Sequence, residues 1–482
     1  MPYVIGFENK QTPAGLQDAL VKLQKLLGQR FSAAEADRIL AGKDFWPLTN
    51  LWFMEGKAAS LPDAVVWPES TAEVAEIVKI ARHYKVPLIP FGEGSGVLGG
   101  ITAVNGGIVM DMKRMNRIIE IDEDSLLLTV ETGINGEVLE RKLQEKGFTL
   151  RHTPQSVRCS TLGGWISCRA AGQFSTKYGK IEDMLCGLQA VLPDGSIYQN
   201  TITPRSATGP RIDQLLLGAE GTLGVITRAV LKIWRLPEKQ IGRAFAFSTV
   251  EDALTAVREI LQSNIKPAVV RIYDAAETQL HFKDIEAARD RVMLVLVMEG
   301  TEKLAAVENE IAQEYCEKWQ GIDCGPEPVA DWFRTRFNVS LSSHLIQNGL
   351  VYDTIEIAAS WSKIAPLYHE VIKALKEVPK TIAAGGHFSH VYHDGACLYL
   401  SVAGMPDAAD KEVYYHQLWD AAMNTTMAMG GTISHHHGIG LNRSRFMRQE
   451  LGEAGLSMLK AVKKALDPDN IMNPGKLGLG GE

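Results

Sequence analysis

No Cys-x-x-Cys pair occurs among the six cysteines (Cys159, Cys168, Cys186, Cys316, Cys324 and Cys397). Neither a disulfide framework nor an iron–sulfur or zinc cluster is indicated, and the six read as buried, reduced thiols. No run of about 18 apolar residues is present, so no transmembrane helix is expected. Met1 to Lys10 lacks the charged and apolar regions of a secretory leader, and the expected location is the cytoplasm. Charge of one sign is nowhere concentrated: 50 Lys and Arg stand against 57 Asp and Glu, a net charge of −7. That balance argues against nucleic acid or an anionic membrane as partner. Tandem repeats of short period and low-complexity segments are also missing. What remains is an ordinary globular composition, 45% apolar and 22% charged over 482 residues. The length favours more than one domain, because single cores stop growing at roughly 250–300 residues.

From Thr12 to about Gly42, Leu16, Leu20, Leu23, Leu26 and Leu27 recur at helical spacing and predict an N-terminal helical cover. From about Pro62 the chain alternates: strand Asp63–Trp67, a helix opened by Ser70-Thr-Ala-Glu73 and running through Tyr84, and strand Val86–Pro90. Strands follow at 107–111, 126–130 and 188–192, the last closed by the turn Pro193-Asp-Gly195. After Leu236-Pro-Glu238 a second α+β region is predicted. Its strands lie at 242–249, 268–273, 292–298, 351–359 and 396–402, with helices at 250–263, 302–319, 362–378 and from 407 to about 429.

Three glycine-rich loops carry chemistry. Pro90-Phe-Gly-Glu-Gly-Ser-Gly-Val-Leu-Gly-Gly100 follows a strand, and its backbone N–H groups can surround phosphate oxygens. It has neither the helix and acidic residue of a Rossmann fingerprint nor the Gly-Lys-Ser/Thr of a Walker loop. His152 to Trp165, continuing to Asp183, brings Ser160, Thr161, Gly163 and Gly164 to a helix entry. Leu217 to Thr227 is the third. Together they exceed the needs of a mononucleotide and suit a dinucleotide. The candidate cofactor contacts are Pro90, Gly92, Glu93, Gly94, Ser95, Gly96, Pro154, Ser160, Thr161, Gly164, Arg169, Gly179, Glu220, Gly224 and Ile226.

Phe91-Gly-Glu-Gly-Ser-Gly96, Ser160-Thr-Leu-Gly-Gly164 and Gly218-Ala-Glu-Gly-Thr-Leu-Gly-Val-Ile-Thr227 resemble the FAD-binding domain of the vanillyl-alcohol oxidase / p-cresol methylhydroxylase (PCMH) superfamily. Leu466-Asp-Pro-Asp-Asn-Ile-Met-Asn-Pro-Gly-Lys476 resembles the C-terminal signature of its oxidase branch. The resemblance implies an α+β fold. An N-terminal helical cover (1–58) would precede a two-part PCMH-type FAD-binding domain (59–238) and an α+β substrate or cap domain with an antiparallel sheet (239–430). A C-terminal segment (431–482) would return to the flavin. It further implies that Gly92, Gly94, Ser95 and Gly96 cradle the pyrophosphate, that Ser160, Thr161 and Gly164 line the flavin, and that Ile226 lies beside it through its backbone. Some members tether FAD through a His or Cys; the first loop has neither, so non-covalent FAD is expected. A homodimer is common in such families. Any electron acceptor, whether quinone, electron-transferring flavoprotein or iron–sulfur subunit, would be separate from this chain.

Of 12 histidines, His387, His390, His393, His416, His435, His436 and His437 cluster late in the chain. Strand alternation predicts His387 and His393 on one face and His390 on the other. His435, His436 and His437, after the Gly430-Gly431 turn, are not expected to reach one point together. Imidazoles suit either acid/base chemistry or a divalent metal. D-lactate, glycolate and D-2-hydroxyglutarate dehydrogenases of the superfamily carry Glu-His-Gly where this chain has His436-His437-Gly438, and some bind metal through that Glu. The Glu is missing here and no metal is expected. The triple histidine before Gly-x-Gly, with Gly395-Ala-Cys-Leu-Tyr399, is similar to alkyldihydroxyacetone-phosphate synthase. This resemblance implies acid/base roles for His437 and Tyr399, with His436 adjacent, and an assisting Arg271.

The synthases' Tyr-Leu-Arg-Asp segment has no counterpart after Arg336-Phe337, where 338–344 offers no basic residue except His344. A phosphate monoester normally recruits Arg. The expected substrate is therefore a small hydroxy acid or alcohol, its anion held by Arg271 with Arg334 or Arg336, and with His387, His390 and His435 on the substrate side. The expected reaction is dehydrogenation, a hydride passing to flavin N5 with His437 as base and Tyr399 assisting. The alternative is a non-redox transferase of the synthase type acting through a flavin N5 adduct.

Overall fold

The computed structural model describes residues 4–5, 13–338 and 340–479. The reading of Met1 to Lys10 falls almost wholly outside these residues. So do Val339 and the side chains of 340–343 in the segment after Arg336-Phe337.

Ala64–Val66, Ile108–Asp111 and Leu88–Phe91 pair in parallel, with Phe31–Ser32 as an antiparallel edge. Parallel strands are buried on both faces and read as continuous apolar runs, as Ala64-Val-Val66 and Ile108-Val-Met110 do. Helix Thr71–Tyr84 makes the crossover, its first turn capped by the Ser70 hydroxyl accepting from Glu73 N at 3.2 Å. Helix Leu16–Leu27 lays Leu16, Ala19, Leu23 and Leu27 into the same core. A second, antiparallel sheet runs Ile197–Gln199, Leu185–Val191, Val225–Lys232, Leu127–Glu131, Ile118–Asp122. Its first hairpin turns at Pro193-Asp-Gly195, where Gly195 takes φ +83°.

The third sheet has seven antiparallel strands in the order Ile322–Gly325, Lys239–Phe247, Val292–Gly300, Val269–Tyr273, Thr381–Val391, Gly395–Gly404, Val351–Ser360. Alternation sorts its faces. Val270, Ile272, Phe388, Leu398, Leu400, Ile355 and Ile357 join the core beneath helices Val250–Gln262, Glu302–Lys318, Trp361–Glu377 and Lys411–Ala428. On the opposite face, Val269 and Tyr273 pack with Phe174 and Trp332, so this face meets the N-terminal half. The expected α+β architecture with an antiparallel sheet in the second half is the one formed.

Helix Met447–Leu466, interrupted at Gly452, brings the chain back to the glycine loops. The Asp467 carboxylate accepts from Ile471 N (3.0 Å) and Met472 N (2.8 Å) and pairs with buried Lys463 at 2.5 Å. Lys463 Nζ also donates to Thr222 O (2.9 Å) and Met472 O (2.8 Å). Asn473 is thereby set to donate to Gly100 O and Glu220 O. Removing one partner of such a pair leaves an uncompensated buried charge, a cost of about 3–5 kcal/mol. Asp467→Ala is expected to lower the thermal midpoint markedly and release flavin early on heating; a midpoint within error of wild type would show that the C-terminal turn is not anchored this way.

Candidate active site

The three glycine loops converge. A Cβ on Gly92 would lie 2.2 Å from Thr161 Oγ1, and one on Gly221 would lie 3.0 Å from Pro90 Cδ. Only glycine permits these approaches. Among the described residues, the backbone N–H groups of 93–96 meet no protein acceptor. A row of free N–H donors on a close-packed glycine loop fits the pyrophosphate of a dinucleotide. Thr161 caps helix Leu162–Cys168 through Gly164 N. Several predicted contacts are otherwise engaged. Ser160 Oγ bonds Ser156 O and Trp165 Nε1, both at 2.8 Å, and the Glu93 carboxylate accepts from Asn135 at 2.8 Å. Ile226 O accepts from Thr132 at 2.6 Å, Pro154 O closes a turn with Val157 N, and Gly224 packs on Val191 O. Arg169 is half-exposed and paired with Glu182 at 3.2 Å, and Gly179 turns at φ +85° against Asp183.

A row of four side chains crosses the seven-stranded sheet. Tyr273 pairs with His387, His387 with Tyr399, and Tyr399 with Glu356. Their sequence neighbours face the helices, so all four face the N-terminal half. The His387 ring stacks on Tyr399, with centroids 5.0 Å apart and planes at 6°. Tyr399 Oη lies 2.5 Å from His437 Nε2 and 3.2 Å from His436 Nε2.

The loop 434–440 presents these histidines. Its His435 and His437 N–H groups donate to Glu356 at 2.5 and 3.0 Å, and Ser434 Oγ donates to Glu356 at 3.1 Å. Arg443 Nη1 donates to Glu356 Oε1 at 2.7 Å and to Gly438 O at 2.9 Å, with both side chains wholly out of water. Burial opposes ionisation of Glu356, yet Arg443 and the histidine loop hold its carboxyl down to about 2. From the other side, Glu220 accepts from Ile439 N (2.5 Å) and Gly440 N (2.8 Å). Glu220 thus holds the histidine loop, although its sequence context suggests a cofactor contact. Gly438 takes φ +83°, and a Cβ there would lie 2.5 Å from Glu220 Oε1.

Burial drives His387, His390, His435, His436 and His437 toward neutrality. His437 and His387 fall to about 4 and His435 to about 3, while His390 and His436 lie well below the ordinary value.

Two arginines border this row. Arg271 Nη2 shares a hydrogen bond with His387 Nε2 at 2.7 Å, its Nε donates to Tyr273 Oη at 2.8 Å, and its guanidinium lies 5.8 Å from the Trp332 ring. Arg336 stands 5.4 Å from the same ring and donates to Gln173 Oε1 at 2.9 Å. Burial, with repulsion from Arg151 and Arg271, pushes Arg336 down to about 10. Arg151 is neutralised by buried Glu299 in a bidentate pair at 2.9 Å. Among the described residues, neither Arg271 nor Arg336 has a carboxylate partner.

The structure corrects several expectations. Arg334 lies outside the site: its side chain is 74% exposed and paired with Asp331. His393 is exposed at a hairpin turn and shares no face with His387. His390 is the extra residue of a bulge between Ser389 and Val391, at φ +50°, and so turns back toward the histidine loop. It stacks on His435 at 5.4 Å. The three consecutive histidines do not share one point: His436 and His437 reach the Tyr399 hydroxyl, while His435 turns to Tyr392 Oη at 3.0 Å. Glu356 and Arg443 were not legible as site residues; each sits in an ordinary apolar or polar run with no motif around it. Glu356, Cys397, His435 and His436 bring one ligand-type atom each within 4.8 Å of one another. The Glu356 oxygens, however, already serve four donors, and Nδ1 of His435 and of His436 face each other at 2.8 Å.

Residues 62–200 match the FAD binding domain family, and residues 236–477 match the C-terminal domain of FAD linked oxidases. Alkyldihydroxyacetonephosphate synthase of Caenorhabditis elegans is 32% identical over 480 residues, spanning 92% of this chain and 80% of that protein. The mitochondrial D-lactate dehydrogenase [cytochrome] of Arabidopsis thaliana is 27% identical, spanning 98% of this chain and 82% of that protein. A solved alkyldihydroxyacetonephosphate synthase shares the fold with a TM-score of 0.80 at 24% identity, over 98% of this chain and 89% of that one. No helix among the described residues is long and apolar enough to cross a membrane. With both matched segments, the converging glycine loops and a full-length relative above 30% identity, the chain belongs to the FAD-linked oxidase family and uses FAD as its cofactor.

Proposed function

We propose that this protein is an FAD-dependent dehydrogenase of a small anionic hydroxy compound, a hydroxy acid above all. The observation that carries this reading is the pair of guanidiniums, Arg271 and Arg336, set beside an acid/base couple and lacking, among the described residues, any carboxylate of their own. Two unpaired, desolvated cations favour an anionic substrate. The glycine loops would hold FAD, which when bound accepts the two electrons of the substrate C–H bond. Tyr399 takes the substrate hydroxyl proton as its own proton passes to His437 Nε2. The resulting charge lies 3.8 Å from Glu356, measured from His437 Nδ1. His387 is a positioning residue: its ring stacks on Tyr399 and its Nε2 steadies Arg271. Reoxidation falls to a separate acceptor.

A second reading, a synthase-type transferase using FAD without net redox change, is supported by the 32% identity to alkyldihydroxyacetonephosphate synthase and by the triple histidine. Anaerobic spectra of the purified flavoprotein separate the two. A hydroxy acid from a panel of D- and L-isomers is expected to bleach the oxidised band. Perturbation by an acyl-dihydroxyacetone phosphate alone, without net reduction, would establish the second reading instead. His437→Asn is expected to retain flavin and slow its reduction by about 10²-fold or more, the usual contribution of a general base. Unchanged reduction would remove His437 from the mechanism.

Arg336→Met is expected to raise KM about 10- to 100-fold with little change in kcat, as loss of one charged hydrogen bond predicts; an unaltered KM would place the anion elsewhere. The histidines also set a pH dependence. Unfolded histidine titrates near 6.5, whereas folded His387 and His437 titrate at about 4. Between those values the unfolded chain binds protons that the folded chain refuses. Stability is therefore expected to be level above pH 6.5 and to fall as pH drops toward 4. A thermal midpoint that stays constant across that window would contradict buried neutral histidines.

A further inference from the structure

Tyr399 has two imidazole neighbours, and only one of them leads onward. His437 Nδ1 is buried and meets no hydrogen-bond acceptor among the described residues, so a proton placed on His437 has no exit on that side. His436 is different. Its Nε2 faces Tyr399 Oη at 3.2 Å and its Nδ1 faces His435 Nδ1 at 2.8 Å. His435 Nε2 in turn faces Tyr392 Oη at 3.0 Å. The Tyr392 hydroxyl lies within hydrogen-bonding reach of Ser175, whose Oγ is 2.7 Å from His390 Nδ1.

Every member after Tyr399 is a hydroxyl or an imidazole, and each offers one donor and one acceptor. Such a chain has two arrangements in which all members are neutral, with every hydrogen bond pointing one way or the other. We propose that Tyr399, His436, His435, Tyr392, Ser175 and His390 form a proton relay that clears the substrate proton from the Tyr399–His437 couple. The inference rests on the dehydrogenase reading above.

In the outward arrangement His437 returns its Nε2–H to Tyr399 as Tyr399 O–H moves to His436 Nε2 and His436 Nδ1–H moves to His435 Nδ1. His435 Nε2–H then moves to Tyr392 and the Tyr392 proton to Ser175. Finally the Ser175 proton moves to His390 Nδ1 as His390 gives up Nε2–H to the water that reaches this residue, 7% of whose surface is exposed. One proton enters at Tyr399 and one leaves at His390; six neutral groups remain, and no electron moves. Burial and the nearby Lys180 and Arg271 hold His390, His435 and His436 neutral. Passage is thus favoured over storage. The bulge at His390 places the last member on this face, where plain alternation would turn it to the helices.

Tyr392→Phe removes one hydroxyl from the middle of the chain and keeps the ring. In holoenzyme carrying ¹⁵N-histidine, long-range ¹H–¹⁵N spectra are expected to show His435 and His436 neutral, one with Nδ1 protonated and the other with Nδ1 bare. In Tyr392→Phe the tautomer of His436, which does not touch Tyr392, is expected to change. Turnover with the hydroxy acid that bleaches the flavin should fall about tenfold at unchanged KM and flavin content, with an altered solvent isotope effect in D₂O. Ser175→Ala should do the same, and the double variant should be no slower than the slower single variant. Wild-type tautomers together with a wild-type isotope effect in Tyr392→Phe would overturn the relay. A chelator-sensitive divalent metal that shifts both Nδ1 signals would overturn it too. If no hydroxy acid reduces the wild-type flavin, the dehydrogenase reading fails, and the tautomer spectra still decide the relay.

Discussion

Glu356 and Arg443 are both wholly buried, and two charges so placed persist only where hydrogen bonds offset their lost hydration. The Glu356 oxygens serve four donors, and among the described residues Arg443 uses both terminal nitrogens and leaves Nε without a partner. Arg443 donates to the Glu356 carboxylate, the Glu356 carbonyl, Ser434 and Gly438 O, and its guanidinium lies 5.1 Å from the Trp419 ring. The carboxylate returns the service to the N–H groups of His435 and His437. Because those two donors are alternate residues of one loop, binding both to a single carboxylate fixes the direction of every imidazole between and beside them. The orientation of the acid/base cluster is a by-product of how one ion pair was made tolerable in the core.

Much of this architecture is written in local patterns. The alternation along Val269–Tyr273 and Gly395–Gly404 announces two-faced strands, and the glycines at 92–100 and 218–224 announce close backbone approach. Histidine clustering marks the site because imidazole is rarely concentrated without reason. What a linear reading misses is register. The row Tyr273, His387, Tyr399, Glu356 exists only once four strands are aligned, and Glu356 looks like any charged residue in an apolar run. Bulges are missed for the same reason, and alternation alone misplaces His390. Arg334 and Arg336, two residues apart near a helix end, looked equivalent; the helix turns one to solvent and the other onto Trp332 and Phe174.

The site also divides its electrostatics. On the arginine side Arg151 is cancelled by Glu299, leaving Arg271 and Arg336 as free positive charge. On the histidine side burial strips charge from His387, His390, His435, His436 and His437, and the Glu356 carboxylate is bound by Arg443. The two regions meet at His387, which touches Arg271 through a nitrogen and Tyr399 through its ring face. A binding charge and a proton-handling group are thereby kept adjacent without either titrating the other away.

Glu356 belongs to the seven-stranded sheet, and Glu220 to the turn before strand Val225–Lys232; together they grip one seven-residue loop from opposite sides. The loop is therefore a clasp between the two halves of the chain. Hinge-like parting of the halves would strand two buried carboxylates at once, which takes such opening off the timescale of turnover. Helix Glu327–Thr335, which carries Trp332 and leads into Arg336, is not part of the clasp, so the surroundings of Arg336 can adjust without stranding either carboxylate.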